Sequence, residues 1–447
     1  MNKIKVKYYK NSCFYGDFLK DNDWFVFLDS CNDISGFGRY DILSSNPHTK
    51  ITTFGNLINV RQGDNSSSFY DNPQDVIKKY FNIKSSNNDL PFNNGMIGYF
   101  GYDAFEKKSQ NKKFPDIAVG FYDWAIIVDH LNKESWLTFE TKTDFISRII
   151  KLCNNFNPSP SINYNAEYTF TNFKNNTSYD KYINDVTTIK NYITNGDCYQ
   201  VNYSQNFEAH YIGDPWDIYK DLRVINPAPY SSYLKFDDSY FISSSPERFI
   251  SIKNNIVETK PIKGTLKRLK DPELDLNQIK ILRNDEKNIA ENLMIVDLLR
   301  NDISKCCELH SVKVEKLFDI ETYASVHHMV TTIVGMLKPN ISSVDILKAC
   351  FPGGSITGAP KKRAMQIISE LEESKRNIYC GSIGYFNENN NMDTNICIRT
   401  IALHNNTLNF SAGGGIVYDS VPIDEYHESL QKVSIFIKFF SNGDYKW

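Results

Sequence analysis

The stretch VGFYDWAIIVDH, residues 119–130, is a run of apolar and aromatic residues closed by Asp-His. Ring and β-branched side chains in a short run, stopped by polar residues, read as sheet strand and turn. The same pattern recurs at DWFVFLDS (23–30), YDILSSNP (40–47) and NGMIGYFGYD (94–103). The first third of the chain is therefore expected to be mainly β.

The 447 residues are 41% hydrophobic and 23% charged, the composition of an ordinary globular protein. Fifty Lys and Arg against 53 Asp and Glu leave a formal charge of −3, which excludes the basic footprint of a nucleic-acid or acidic-membrane binder. No apolar run approaches the roughly 18 residues of a membrane span. The start, MNKIKVKYYKNSCFYGDF, has no signal-peptide core, so a soluble cytoplasmic protein is expected. Nine cysteines are scattered without a C-x-x-C pair and are expected as reduced, packed thiols.

The Pro/Asn/Ser-rich segment around 153–177 reads as a connection between a strand-rich lobe, 1–152, and a second region, 178–447. That region opens with a helix whose face is Tyr182, Val186, Ile189 and Ile193, capped by Ser178 and ended by Asn195-Gly196. In ENLMIVDLLRNDISK (291–305), Leu293, Met294, Ile295, Val296, Leu298 and Leu299 wrap most of a helical wheel, which predicts a buried helix. Glu291 falls beside Ile295 and Leu298, where a carboxylate is costly unless a cation or donors accompany it. A salt bridge and a metal are both open. FPGGSITGAPKKRAMQIISELEES (351–374) is a glycine-rich turn entering a helix near Pro360, and matches no nucleotide-binding motif. In DEYHESLQK (424–432), Glu425, Glu428 and Lys432 share one helix side; a carboxylate pair facing Glu291 would suit Mg²⁺. Lys263, in ETKPIKGTLKR (258–268), reads by itself as a solvated strand-end lysine.

Taken in order, GDCYQVNYSQ (196–205), NPAPYSSYLKF (226–236), SSSPERFI (243–250), KPIKGT (260–265), AENLMIVDLLRND (290–302), HHMVTTIVG (327–335), FPGGSITGAPK (351–361), YCGSIGYF (379–386), IRT (398–400), SAGGGIVYDS (411–420) and EYHESLQK (425–432) resemble the chorismate-utilising enzymes. The resemblance implies a large two-lobed α/β fold, two β-sheets packed between outer helices around a central active-site cleft. It also implies ammonia as co-substrate. Members that add ammonia carry glutamine at the position of Gln200, where water-adding members carry lysine. Lys263 within P-I-K-G-T is the pattern of the branch forming 4-amino-4-deoxychorismate, whereas anthranilate-forming members read P-I-A-G-T.

On the same resemblance Lys263 is the nucleophile and Glu247 the acid/base carboxyl. An attacking lysine needs its pKa lowered by burial or a nearby cation; Lys260 and Lys267 are the candidate cations in the neighbouring sequence, with strand alternation able to turn them away. Glu291 and Glu428 hold Mg²⁺, with Glu425 nearby through water. Arg399, Tyr379 and the backbone at Gly415 meet the enolpyruvyl carboxylate of chorismate, and Ser355, His328 and Lys432 complete the polar set. No G-x-C-x-G glutaminase elbow occurs, so a separate glutamine amidotransferase is the implied partner. Ser30, Phe37, Gly38, Arg39 and Tyr40, with Pro229, Tyr230 and Ser231, match the region where members bind L-tryptophan; plain strand packing is the alternative. An anthranilate-forming enzyme and a non-catalytic binding protein are the competing readings of the whole chain.

Overall fold

In the computed structural model, residues 2–31, 38–81, 83, 89–106, 113–155, 167–323 and 326–443 are described. Asp123 divides the opening stretch into two strands, Ile117–Tyr122 and Trp124–Asp129, which belong to different sheets. Each sheet is antiparallel and has twelve described strands.

Side-chain alternation along these two strands lays out the architecture. Ile117, Val119 and Phe121 pack into a core shared with helices Pro73–Tyr80, Glu286–Ser304 and Ser343–Cys350. Trp124, Ile126 and Val128 pack into a separate core with helices including Asp144–Asn155, Tyr179–Thr194 and Pro422–Lys432. Ala118, Tyr122, Ala125 and Ile127 meet in a third core with Trp24, Ile42, Tyr99 and Phe241, drawn from both sheets. The layers are thus helices, sheet, sheet, helices. Every residue of both strands is buried, which is why they read as unbroken apolar runs rather than as alternation.

Each sheet takes strands from before residue 153 and from after residue 177. Within the expected connection, residues 156–166 lie outside the described set, and Tyr168–Asn175 is an edge strand paired with Gln200–Gly213. The helix after it runs Tyr179–Thr194, with the Ser178 side chain accepting from the Lys181 N–H. Glu286–Ser304 forms as expected, but Leu293 is 49% exposed. The wheel was apolar nearly all round, and only the face carrying Ile295, Val296 and Leu299 meets the sheet. All nine cysteines are free thiols. No described helix is long and apolar enough to cross a membrane.

Candidate active site

Strand Ile262–Lys267 pairs antiparallel with Val326–Met336, Ile262 opposite Val330 and Thr265 opposite His328. Three steps on one strand against two on the other make a bulge, which bends a strand and re-aims a side chain. Gly264 sits in it at φ +83°. A Cβ there would lie 2.8 Å from Leu282 Cδ1 and 2.9 Å from Asn288 Cγ. The bulge directs Lys263 to helix Glu286–Ser304, where its Nζ lies 3.7 Å from Glu291 Oε2. The two side chains are 14% and 16% exposed. Burial pushes the Lys263 ammonium below its ordinary value; Glu291 opposes this, and Lys432 reinforces it. The depressing cation is therefore Lys432, not Lys260 or Lys267. Lys260 is ion-paired with Glu321, and Lys267 is exposed at the strand end.

Glu247 is 6% exposed, and burial pushes its carboxyl up to about 7 against the nearby Lys263 and two hydrogen bonds. One comes from Ser355 Oγ at 3.3 Å, on the short turn Gly354–Ile356 that the glycine-rich segment forms. A carboxylic acid poised near neutrality can give and retake a proton. His328 is buried, with Thr265 Oγ1 2.7 Å from its Nδ1, and burial with the nearby Arg399 charge lowers its pKa to about 4. It is neutral at physiological pH.

Gly414 is the floor under the third group. A Cβ there would stand 3.2 Å from Glu425 Oε2, 3.4 Å from Lys432 Nζ and 3.9 Å from Glu428 Oε1. Lys432 pairs with Glu428 at 2.7 Å and also donates to the Gly413 carbonyl at 3.2 Å. Burial and the neighbouring Glu428 raise the Glu425 pKa, against the hydrogen bond from Ser420 Oγ at 2.6 Å. Burial also pushes Glu428 upward, but Lys432, Lys287 and Lys263 outweigh it and hold its carboxyl below the usual range. Among the described residues no three carboxylate, imidazole or thiol groups form a metal cage by themselves. The donor set fits Mg²⁺, which takes one or two carboxylates and completes its shell with water and substrate oxygens. Glu291 and Glu428 are the residues that would hold it, with Glu425 beside Glu428 to reach it through water.

Arg399 sits in left-handed backbone, φ +50°, and burial alone pushes its guanidinium below the ordinary value. Among the described residues no carboxylate pairs with it. A desolvated guanidinium without an acid is a fork for an incoming carboxylate. Tyr379 is buried beside Arg376, whose guanidinium lies 5.7 Å from its ring. Gln200 is wholly buried, and the missing Cβ of Gly415 leaves room for its amide; a methyl there would come within 3.0 Å of the amide carbon.

The residues matched to tryptophan binding lie on or beside three neighbouring strands of one sheet, Val26–Asp29, Tyr40–Ser44 and Tyr230–Phe236. Phe37 lies outside the described residues. Ser30 donates from N and Oγ to Asp41 Oδ1 at 2.8 and 2.7 Å, and Arg39 is bidentate on Asp129 at 3.1 and 2.8 Å. Asp29, before Ser30, stands opposite Ser231, while Tyr40 opens the strand Tyr40–Ser44 alongside. Tyr230 is packed near Arg248, 5.6 Å from its ring; Pro229 lies in the turn before it, and Gly38 lies just before the strand that Tyr40 opens.

Sequence reading did not single out Gly264, Gly414, Lys287 or Asn288. The Gly-after-Lys order in KGT and the run of three glycines in SAGGGI were the available signals.

The chorismate binding enzyme family matches residues 35–438. Aminodeoxychorismate synthase component 1 of Escherichia coli (strain K12) is 41% identical over 437 residues, 95% of each chain. Anthranilate synthase component 1 of Acetivibrio thermocellus is 36% identical over 92% of this chain and 89% of its own. Among solved structures, anthranilate synthase component I from Streptococcus pneumoniae TIGR4 matches with a TM-score of 0.79 at 33% identity, covering 88% of this chain and 91% of that one. The menaquinone-specific isochorismate synthase from Escherichia coli, at 16% identity and TM-score 0.75 over 98% and 94%, shares the fold.

Proposed function

The chain belongs to the chorismate binding enzymes, and on that footing we propose that it is the chorismate-aminating component of an aminodeoxychorismate synthase, forming 4-amino-4-deoxychorismate for p-aminobenzoate and folate synthesis. The observation that carries the reading is Lys263, thrown out of its strand by the Gly264 bulge and set with a depressed pKa between Glu291 and the near-neutral acid Glu247.

In the reaction the neutral Lys263 amine forms a C–N bond at C2 of the chorismate ring. The two ring double bonds shift, the C4–O bond breaks, and Glu247 gives its proton so that water leaves. Ammonia then forms a bond at C4, the double bonds shift back, and Lys263 departs as the free amine. The proton released by the new amine returns to Glu247. Arg399 takes the enolpyruvyl carboxylate, with Tyr379 and the backbone at Gly415 completing that end. Glu291 and Glu428 would hold Mg²⁺, with Glu425 nearby through water, and the ion when bound would supply positive charge for the ring carboxylate. Neutral His328, held by Thr265, presents a polar ring that does not compete for either carboxylate.

Ammonia comes from glutamine through a separate amidotransferase, as the designation component 1 in the relatives suggests. The cytoplasm is the compartment that suits this chemistry and nine free thiols. The corner formed by Ser30, Arg39, Tyr40 and Ser231 is read as a tryptophan pocket, supported by the clustering of segments far apart in sequence.

The test is incubation of the purified chain with chorismate, ammonium and Mg²⁺, with and without an aminodeoxychorismate lyase. Aminodeoxychorismate, converted to p-aminobenzoate only when the lyase is present, is the expected product. Intact-mass analysis should show Lys263 carrying chorismate less one water when ammonium is withheld. Anthranilate as the product, or full activity in Lys263→Ala, would overturn the assignment.

A further inference from the structure

Arg376 follows helix Lys361–Leu371 and is 5% exposed. Its guanidinium makes four hydrogen bonds. Nε and Nη2 donate to the Glu372 carboxylate at 2.8 and 2.7 Å, Nη2 also to the Asn202 carbonyl at 2.7 Å, and Nη1 to the Ile356 carbonyl at 3.0 Å. A guanidinium has five N–H donors, so this one has no fork left for a substrate carboxylate. Glu372, itself buried, neutralises it. A charge matched in this way and spent on main-chain carbonyls holds backbone rather than ligand.

What it holds leads to separate parts of the cleft. Ile356 ends the short turn Gly354–Ile356, and Ser355 of that turn gives Glu247 its hydrogen bond at 3.3 Å. Asn202 lies opposite Gly415 in the sheet. Strand Gln200–Gly213 pairs with Gly358–Ala359 over Gln200 and Val201; at the next residue the Asn202 N–H donates to the Thr357 carbonyl at 2.8 Å and its C=O accepts from Arg376. The guanidinium thus stands where a neighbouring strand would continue. The third contact is Tyr379, whose N–H donates to the Arg376 carbonyl at 2.8 Å and whose ring lies 5.7 Å from the guanidinium carbon. From there the Cys380 N–H donates to the Cys397 carbonyl at 2.8 Å, and the Cys397 N–H to the Gly381 carbonyl at 2.9 Å, which ties the same turn to the segment carrying Arg399.

We propose that Arg376 is a positioning residue, one buried guanidinium that sets Glu247, through Ser355, in register with Tyr379 and the backbone at Gly415. It does not touch chorismate. This rests on the amination reading, in which proton delivery by Glu247 and the hold on the enolpyruvyl carboxylate act on one molecule at once. A misplacement of about 1 Å between the two costs on the order of a hundredfold in rate. A lysine cannot replace the arginine, because one ammonium has no planar fork to reach a carboxylate and two carbonyls in fixed directions.

Two variants test this in the full-length chain. Arg376→Lys keeps a charge for Glu372 and loses the fork. Glu372→Gln/Arg376→Met removes both charges together, so neither is left buried alone. Rates are followed as chorismate consumed at saturating ammonium. In both variants chorismate KM should rise on the order of tenfold, the worth of a charge-assisted hydrogen bond, and kcat should fall by about a hundredfold. The alkaline limb of kcat/KM, where Glu247 loses its proton, should move to higher pH, because the Ser355 bond that favours the carboxylate is loosened. Lys263, the charge facing Glu247, lies on another strand and stays in place. The Mg²⁺ concentration for half-maximal rate should stay within about twofold, since Glu291 and Glu428 stand on separate helices. An unmoved chorismate KM or an unmoved limb in both variants would overturn the proposal. So would a Mg²⁺ requirement rising in step with them, which is the mark of general support to the fold. A wild type that yields anthranilate would overturn the amination reading alone, because the KM and the limb are read from chorismate whichever product forms.

Discussion

Gly264→Ala tests how the proposed nucleophile is held. The backbone at φ +83° costs an L-residue about 1–2 kcal/mol. The new methyl would also sit 2.8 Å from Leu282 Cδ1 and 2.9 Å from Asn288 Cγ, tight enough to force a shift. Overpacking of this kind typically adds about 1–3 kcal/mol. The chain can relieve both by flattening the bulge, and a flattened bulge returns Lys263 to the strand's alternation and away from Glu291. A displacement of about 1 Å at a reacting group costs on the order of a hundredfold in rate. We therefore expect Gly264→Ala to lower stability by about 2–4 kcal/mol in urea unfolding and kcat for chorismate amination by about a hundredfold. Adding Asn288→Ala removes one of the two obstructions and should restore part of both losses. Wild-type kcat and stability in Gly264→Ala would refute the reasoning, because the bulge would then have no hold on Lys263.

The pH dependence of stability carries two opposed contributions. His328, lowered from 6.5 to about 4, stabilises fully above about pH 6.5 and loses that contribution as pH falls toward 4. Glu247, raised from 4.5 to about 7, stabilises below about pH 4.5 and loses its contribution as pH rises toward 7. Each is worth about 3 kcal/mol, so they nearly cancel between. His328→Gln should unmask the Glu247 slope, and stability from urea titrations should then fall by about 2–3 kcal/mol from pH 5 to 7; a rise would contradict the assignment. Arg399→Ala should raise chorismate KM roughly ten- to a hundredfold, the worth of a charge-assisted hydrogen bond, and an unchanged KM would remove Arg399 from the substrate site. Gly414→Ala should weaken Mg²⁺ activation, because its methyl would enter the space 3.2 Å from Glu425 Oε2; the Mg²⁺ concentration for half-maximal rate should rise while activity with saturating metal is largely kept, and an unmoved Mg²⁺ requirement would separate this carboxylate pair from the metal.

What the sequence revealed and what it concealed divide by the range of the physics. Strands buried on both faces announce themselves locally, so 117–122 and 124–129 were legible as β. That the chain changes sheets at Asp123 was not, since the two strands differ only in which core their alternate residues enter. The Ser178 cap and the Glu428–Lys432 pair were legible because both act within one helical turn. Leu293 was misplaced because a wheel apolar on all sides does not say which side meets the sheet. Lys263 shows the same divide at the candidate site. The bulge is a mismatch of two strands sixty residues apart, and Lys432, which depresses the lysine, is 169 residues further along.

The placement of charge in the cleft follows from that bulge. Lys263 next to Glu291 would in isolation be an ordinary buried pair, with the carboxylate holding the lysine protonated. Two features work against this. The 3.7 Å separation is long for a charge-assisted hydrogen bond, and Lys432 stands near enough to repel the same ammonium while itself bonded to Glu428. Any positive charge drawn to Glu291, Glu425 and Glu428 then competes with both lysines for the same oxygens and leaves them less reason to stay protonated. The carboxylates that would hold the metal and the lysine that would attack chorismate are in this way one electrostatic unit, and loss of any carboxylate should show in both metal requirement and nucleophile reactivity.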